Sequence, residues 1–245
     1  MAVSSMLETK HVFAVSDVSK TDRNLLVRAV MQGKADRVRR GVYVSRSGQF
    51  ASAAPDPVEI AMTVCPDAIF CYLTALQLHG VEHNISFTTQ FYTAGTRKSF
   101  GYQERDYVPY RPPQEVLSNE VNFALGRTCA VTSREQTIID TLATPARAGG
   151  VENVIRSISG FPYVDFDLLI SLAATASQTL IARLGWLLEV MADRWEIPET
   201  KIDSLKNARN KNICYFDRSH IREYFDPQWR LYFPNDKEEL EEWLS

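Results

Sequence analysis

The chain has 245 residues, of which 45% are hydrophobic, and it carries 27 Lys and Arg against 30 Asp and Glu. These values are ordinary for a folded globular protein and leave room for one large or two modest domains. No segment approaches the roughly 18 uncharged apolar residues of a membrane span, and residues 1–10 lack the apolar core of a secretory signal. The four cysteines form no C-x-x-C pair. We therefore expect a cytoplasmic protein with reduced thiols and no membrane partner.

Charge is distributed unevenly along the chain. The first 48 residues hold nine Lys and Arg and four acidic residues, which gives a net charge of +5. The remaining 18 basic and 26 acidic residues give −8. A basic segment attached to an acidic remainder predicts that nucleic acid is the partner of the basic segment.

Residues 21–45 predict a capped helix followed by a hairpin. Thr21 is placed to cap the helix, because a threonine hydroxyl accepts a hydrogen bond from a free N–H group of the first turn. Gly33 is placed to end the helix. One side of the helix carries an apolar stripe at helical spacing, formed by Leu25, Leu26, Ala29 and Val30.

A two-stranded ribbon is predicted after this helix. A turn at Arg40-Gly41 is flanked by β-branched residues, which are Val38, Val42 and Val44. Two weakly marked helices would precede Thr21, one of which includes residues 6–13 and one of which runs over residues 15–20 with Ser16 as its cap. Short helices followed by a longer helix and a ribbon are the layout of a winged helix-turn-helix.

The other side of the helix is suited to a DNA groove, and it consists of Arg23, Asn24, Val27, Arg28 and Met31. Arginine and asparagine read the edges of guanine and adenine, and valine can touch a thymine methyl group. Basic residues of the ribbon would hold phosphates or enter the minor groove. The predicted set for double-stranded DNA is Thr21, Arg23, Asn24, Arg28, Lys34, Arg37, Arg39, Arg40 and Tyr43. The alternative is a solvated basic hairpin on an unrelated α/β domain.

The segment Ser45–Pro57 is rich in Ser, Ala, Gly and Pro and predicts a linker. It separates a head domain, residues 1–50, from a body domain, residues 58–245. Body helices are predicted from residue 58, over 68–80, from Ser133 with Gln136 as its capping partner, and over 151–158, 167–176, 179–195 and 236–244. Strands are predicted over 85–93, 102–110, 120–124, 128–131, 213–216 and 229–233. The fold class is therefore α+β, with an N-terminal winged helix-turn-helix followed by a larger mixed α/β C-terminal domain.

Two groups of side chains invite a metal interpretation. His79 and His83 are four residues apart, with two cysteines upstream, but Gly80 should end the helix between them and the spacing matches no zinc motif. Asp165 and Asp167 could hold Mg²⁺ for nucleotidyl transfer, but they lie where acids cap a helix start. Packing and capping are the favoured interpretations of both groups.

Catalytic motifs are absent from the sequence. There is no P-loop and no G-x-S-x-G element. Arg97 and Lys98 suggest a second basic patch on the body, although a solvated loop is the simpler interpretation. We therefore expect a non-enzyme with no catalytic residues, no metal and no cofactor.

Several segments together resemble the AbiEi-type antitoxins, the DNA-binding partners in bacterial type IV abortive-infection toxin–antitoxin pairs. They are the R-R-G-V-Y ribbon of the head, T-A-L-x-L-H-G at residues 74–80, AVTSREQTIIDTLATP at 130–145, ARLGWLLE at 182–189, and YFDRSHIREYFDPQWRLYFPN at 215–235. The resemblance spans most of the chain, and the order and spacing of the segments carry it. The stretch before Ser16 is short for the first helix of such a head.

The resemblance implies a DNA-binding antitoxin. Its head would bind its own promoter and repress its operon, and its body would counteract a nucleotidyltransferase-like toxin without forming a stable complex with it. Two alternatives remain open. One is a solitary winged-helix regulator with a ligand-sensing body, and the other is a nucleic-acid-processing enzyme.

Overall fold

A computed structural model of the chain describes residues 2–95, 98–124, 126–174 and 176–244. Within these residues the fold is α+β, as the sequence predicts, and it consists of ten α-helices and three sheets. The helices are α1 Val3–Thr9, α2 Arg23–Met31, α3 Pro57–Val64, α4 Tyr72–Leu78, α5 Arg134–Ala143, α6 Val151–Ser159, α7 Phe166–Ala173, α8 Gln178–Val190, α9 Glu199–Ala208 and α10 Lys237–Leu244.

The strands form one six-stranded and two three-stranded sheets. They are β1 Val12–Ala14, β2 Ala35–Arg39, β3 Val42–Ser45, β4 Ile69–Phe70, β5 Thr88–Tyr92, β6 Phe100–Tyr102, β7 Arg105–Tyr110, β8 Ser118–Ala124, β9 Arg127–Thr132, β10 Cys214–Tyr215, β11 Tyr224–Asp226 and β12 Leu231–Phe233. The sheet orders are β1-β3-β2, β6-β7-β5-β4-β9-β8 and β10-β12-β11. Strand β5 runs parallel to β7, and β6 and β7 form an antiparallel hairpin.

Contacts between Cα atoms divide the chain into two compact units. The first unit comprises Met1–Ile69, Phe87–Pro113 and Asn122–Cys129. The second unit comprises Phe70–Ser86, Gln114–Val121 and Ala130–Ser245. The 45–57 segment contains a short 3-10 turn at Gly48–Phe50, and its Asp56 side chain caps α3 by accepting a hydrogen bond from Val58 N–H at 2.8 Å.

Each unit has its own core. In the first unit, α1, β1 and α2 enclose an apolar cluster that includes Met6, Phe13 and Leu26, each no more than 2% exposed. In the second unit, helices α5 to α10 and the β10-β12-β11 sheet surround a larger cluster, in which Trp229 and Leu231 are fully buried. Burial of this much apolar surface is the main force that stabilises each unit.

Two predictions near the chain start are wrong. Residues 15–20 do not form a helix; they form one 3-10 turn at Val15–Asp17 and enter a second at Lys20–Asp22. The Ser19 hydroxyl accepts a hydrogen bond from Asp22 N–H at 3.3 Å, and such side chain–backbone bonds compete with helix formation. Residues 12 and 13, predicted to belong to the first helix, instead lie in strand β1.

The predicted body elements are largely found, with shifted ends. Ser133 caps α5 by accepting a hydrogen bond from Gln136 N–H at 3.1 Å, as predicted. The 68–80 helix is wrong at its start, because residues 69–70 form strand β4 before α4 begins at Tyr72. Helix α9 and strand β11 were not predicted. Polar residues interrupt the apolar spacing of α9, and β11 is only three residues long.

Candidate nucleic-acid interface

The start of α2 differs from the predicted cap. Helix α2 begins at Arg23, and Asp22 occupies the cap position without a side-chain hydrogen bond. Thr21 lies one residue earlier, within a 3-10 turn, and its hydroxyl is 2.9 Å from the Ser19 hydroxyl. Thr21 is therefore not the cap of α2, and Ser19 performs the capping one turn earlier.

Helix α2 buries a narrower stripe than predicted. Leu26 and Ala29 are buried at 2% and 5% exposure, and Val30 packs partly against the same cluster. Leu25 was predicted to join this stripe, but it is 47% exposed. The reason is geometric, because Leu26 and Ala29 lie at the centre of the stripe and Leu25 lies at its edge.

The exposed face of α2 mixes polar and apolar side chains. Asn24, Arg28 and Met31 recur at spacings of four and three residues and share its centre, with Met31 82% exposed. Arg23 and Val27 flank them and are exposed. The structure therefore brings the predicted residues of α2 to one accessible face. Such a face offers donors for base edges and apolar groups for thymine methyls.

Arg28 and Lys34 line one cleft. This cleft, of about 380 Å³, lies between α1 and α2 and is also bordered by Leu25 and Asp22. Two cations at one concave surface raise the local positive potential. The cleft places Lys34, from the segment after α2, close to the exposed face of the helix.

The hairpin after α2 has the backbone that its sequence predicts. Gly33 follows the last turn with φ +70°, and Lys34 N–H donates to Ala29 carbonyl at 2.9 Å, which is the glycine-terminated helix end. Gly41 forms the tip of the hairpin with φ +87°, a conformation that favours glycine. A register shift between Arg37 and Arg39 marks a β-bulge in β2, and bulges strengthen strand twist.

The predicted DNA-binding residues of the ribbon differ in how far they are exposed to solvent. Arg37 and Arg40 are exposed, whereas Arg39 is half-buried with its guanidinium carbon 4.9 Å from the centre of the Phe100 ring. Tyr43 pairs with Arg37 across the hairpin, and its ring stacks on Phe13 at 6.0 Å between centroids. Tyr43 therefore contributes mainly to the core of the head, and Arg37 and Arg40 are the most available cations of the ribbon.

Two of the nine basic side chains in residues 1–48 form ion pairs with acidic residues of the same segment. Lys10 pairs with Asp17 at 3.1 Å and Arg46 pairs with Asp36 at 2.7 Å. Among the residues that the structure describes, the other basic side chains of this segment form no ion pair within 4 Å. These are Lys20, Arg23, Arg28, Lys34, Arg37, Arg39 and Arg40. All seven lie on α2, on the segments that flank it or on the hairpin.

A polar network connects the hairpin to a later part of the first unit. Arg46 donates to the Asp36 carboxylate at 2.7 Å, to the Ala53 carbonyl at 3.0 Å and to the Tyr102 hydroxyl at 3.0 Å. Tyr102 in turn donates to Asp36 at 3.2 Å. The hydrogen bond to Asp36 raises the pKa of Arg46. Tyr102 was not identified from the sequence, and no local signal could identify it, because it is 56 residues from Arg46.

The residues considered for metal binding have structural roles. His79 ends α4, and its Nε2 is 2.8 Å from the Thr132 carbonyl; burial lowers the pKa of its imidazole. Asp165 caps α7 by accepting a hydrogen bond from Leu168 N–H at 3.0 Å, and Asp167 forms an ion pair with Lys201. The described residues contain no cluster of three or more His, Cys, Asp or Glu suited to a metal ion. Arg97, suggested for a second basic patch, lies outside the described residues.

Comparison with known proteins gives one informative likeness. No family model matches the chain, and no curated protein matches it significantly. The crystal structure of the RV2827C protein from Mycobacterium tuberculosis matches with a TM-score of 0.70 and 11% sequence identity, over 98% of this chain and 92% of that chain. At this identity the likeness concerns the fold alone. No helix among the described residues is long and apolar enough to cross a membrane.

Proposed function

We propose that residues 1–50 form a winged helix-turn-helix that binds double-stranded DNA, and that the chain is a DNA-binding antitoxin that represses its own operon. The observation that carries the DNA-binding proposal is the set of unpaired basic side chains on and around α2 and on the hairpin. Unpaired surface cations release counterions from DNA phosphates on binding, which is the main source of affinity for DNA.

In this proposal α2 enters the major groove. Arg23, Asn24 and Arg28 on its exposed face contact base edges, and Val27 and Met31 contact thymine methyl groups. Arg37 and Arg40 of the hairpin, together with Lys34, hold phosphates or the adjacent minor groove. The short α1 packs behind α2 and keeps the helix in a fixed orientation.

The DNA-binding proposal is tested with the chain's own promoter as a duplex. The double variant Arg23→Ala and Arg28→Ala should weaken binding, because each lost base contact costs roughly 1–3 kcal/mol. A control with two substituted arginines of the second unit, Arg156→Ala and Arg194→Ala, removes the same charge and should bind normally. Equal affinities of the two double variants would contradict a base-reading role for α2.

The antitoxin part of the proposal rests on the resemblance to AbiEi-type proteins. It holds that the chain counteracts a nucleotidyltransferase-like toxin without forming a stable complex with it and without enzymatic activity of its own. Co-expression should rescue growth from the toxin encoded beside the chain. Absence of such a neighbouring gene, or of rescue by a folded full-length chain, would contradict this part and leave the DNA-binding part intact.

A second candidate is a solitary regulator that senses a ligand. A cleft of about 520 Å³ in the first unit is lined by Tyr102, Tyr107, Phe87 and Arg105, among others. Tyr102 also bonds to Asp36 of strand β2, so a molecule in this cleft would act on the hairpin that carries Arg37. Promoter binding that changes with a cell extract of small molecules, in the absence of any toxin gene, would favour this candidate.

A further inference from the structure

A row of aromatic rings crosses the outer face of the β10-β12-β11 sheet in the second unit. Tyr215 of β10 pairs with Tyr232 of β12, and Tyr232 pairs with Phe225 of β11. Paired residues point to the same face of a sheet, so the three rings form one line across three strands. We call Tyr215, Tyr232 and Phe225 the aromatic row.

The rings of the aromatic row lie close to one another and remain partly exposed. The Tyr215 and Tyr232 centroids are 5.6 Å apart with 24° between the planes, and those of Tyr232 and Phe225 are 4.7 Å apart. The alternate residues on the same strands face the core, where Leu231 and Phe233 are fully buried. The opposite face of the sheet therefore packs into the core, and the aromatic row lies on the face at the surface.

A guanidinium and an imidazole accompany the aromatic row. The Arg222 guanidinium carbon is 5.5 Å from the Tyr215 ring centre and 5.3 Å from the Tyr232 ring centre, and Arg222 donates to the Tyr215 hydroxyl at 2.6 Å. His220 meets the Tyr215 ring edge-on at 4.6 Å. Arg222 is itself exposed, so a ligand can reach its guanidinium, and a phosphate that draws it away replaces its contacts with the two rings.

A cleft continues from the end of the aromatic row. It has a volume of about 290 Å³ and is lined by Tyr215, Arg218 and His220, with Ser177 and Thr179 from the start of α8. Helix α8 has 13 residues, and its N-terminus adds partial positive charge. Asp217 also lines the cleft, but its carboxylate already accepts hydrogen bonds from Ser219 N–H and hydroxyl at 3.0 and 2.6 Å.

The charge of this segment differs from that of the chain around it. Residues 209–233 hold five Lys and Arg and three acidic residues, which gives a net charge of +2. Residues 49–245, which include this segment, have a net charge of −8. One of the three acids, Asp226, accepts a hydrogen bond from Trp229 N–H at 2.8 Å and so has a structural role. The segment that carries Tyr215, Tyr232 and Phe225 is therefore net positive, and Arg218 and Arg222 are its cations nearest to the aromatic row.

We propose that this face binds single-stranded nucleic acid. Unpaired bases stack on the aromatic row, and Arg218 and Arg222 hold the backbone phosphates. Aromatic side chains combined with a basic groove are the general means of binding single strands, because every base has a stacking face. A duplex is disfavoured as the ligand of this face, because its bases are already stacked on each other and cannot stack on the aromatic row. The inference does not rest on the proposed function of the head.

Fluorescence anisotropy of the full-length chain with labelled RNA and DNA single strands of about ten nucleotides tests the proposal. All variants carry Arg37→Ala, Arg39→Ala and Arg40→Ala, which reduce the contribution of the head and keep it constant across the comparison. Comparison of the two strand types identifies the preferred sugar. We expect at least one of the two single strands, RNA or DNA, to bind. A duplex of the same sequence should bind more weakly.

Variants of the aromatic row separate stacking from charge. Phe225→Leu and Tyr232→Leu keep an apolar side chain and should each weaken binding roughly 10-fold, in the range expected for one lost stacked base. Tyr232→Phe keeps the ring and should bind normally. Tyr163→Leu is the matched control, because Tyr163 is an exposed ring beneath a guanidinium, with Arg134 at 4.3 Å, outside the aromatic row. Circular dichroism verifies the fold of each variant.

A second pair of variants remains informative if the leucine variants do not fold. Arg218→Gln and Arg222→Gln change exposed side chains, and each should reduce the log–log salt slope of single-strand binding by about 0.7. The proposal is overturned if no single strand binds, if the leucine variants bind as tightly as Tyr163→Leu, or if uridine monophosphate binds as tightly as the oligonucleotide. The last result would identify a single-nucleotide pocket instead of a row.

Discussion

Gly185 is the residue at which one added methyl group should cost most. It lies in the middle of α8, and a Cβ atom built there would be 2.0 Å from the Trp229 ring, far inside van der Waals contact. Trp229 is fully buried and its Nε1 donates to Glu189 at 2.6 Å, so the ring is held in place. A glycine inside a helix is usually unfavourable, and close packing of the indole explains it here.

We therefore predict that Gly185→Ala destabilises the protein by at least about 2 kcal/mol, as overpacking does. Urea unfolding monitored by tryptophan fluorescence measures the effect. Gly101→Ala is the control, because its Cβ would meet the nearest atom at an ordinary 3.6 Å. A Gly185→Ala variant as stable as Gly101→Ala would show that Trp229 can move aside.

His79 makes stability depend on pH. Its pKa is lowered from 6.5, chiefly by burial, so the folded protein favours the neutral imidazole more than the unfolded chain does. The stabilising contribution is complete above 6.5 and is lost as the pH falls toward the folded pKa. The free energy of unfolding should therefore decrease on acidification below 6.5.

A glutamine variant isolates this effect. His79→Gln retains a side-chain donor for the Thr132 carbonyl but does not titrate. The free energy of unfolding of this variant should therefore fall less between pH 7 and pH 5.5 than that of the wild type. These two pH values lie within about one unit of the ordinary histidine pKa, one on each side. His83→Gln is the control, because His83 is exposed. Parallel pH profiles for all three proteins would refute the role of His79.

At the scale of elements, α2 and the hairpin show which features of a helix or strand can be predicted from neighbouring residues in the chain. The glycines at 33 and 41, the β-branched residues of the ribbon and the cap at Ser133 were predicted, because each acts through neighbours in the chain. The predicted cap at Thr21 and the buried Leu25 were wrong, because they depend on how the preceding turns and α1 pack on the helix.

The hairpin should act on DNA through charge and not through base identity. We predict that the triple variant Arg37→Ala, Arg39→Ala and Arg40→Ala weakens binding to all duplex sequences alike. Its log–log salt dependence should become flatter by about 0.9 per lost phosphate contact. Arg39 already rests on the Phe100 ring, so its share should be smaller than that of Arg37 or Arg40.

Titrations at several salt concentrations measure these slopes. Lys10→Ala is the control, because Lys10 is a basic residue of the same segment that is already paired with Asp17. A triple variant with the slope of the control would favour the interpretation of the hairpin as a solvated basic loop.

At the scale of the whole molecule, the first unit joins distant parts of the chain. Arg46 connects Asp36 on β2 with Tyr102 on β6 and with the Ala53 carbonyl, and its side chain is only 17% exposed. A half-buried guanidinium with three partners contributes more than a surface ion pair, because its partners lose satisfied hydrogen bonds when it is removed.

We predict that Arg46→Met accelerates amide hydrogen exchange in both β2 and β6, by an amount equivalent to about 1–3 kcal/mol of local stability. Arg156→Met is the control, since Arg156 forms surface pairs with Glu152 and Glu242 in the second unit. Faster exchange confined to β2 would mean that β6 is stabilised independently of the network.

The sequence by itself determined the α+β class, most helices of the second unit, the glycine-ended α2 with its hairpin and the concentration of positive charge in the first 48 residues. These features depend on composition and on residues within one or two turns of each other. The tertiary structure alone decided the extent of the first unit, the network at Arg46 and the aromatic row. Each of these joins residues far apart in the chain, and strand register, which brings Tyr215, Tyr232 and Phe225 onto one face, is set by the packing of the opposite face into the core.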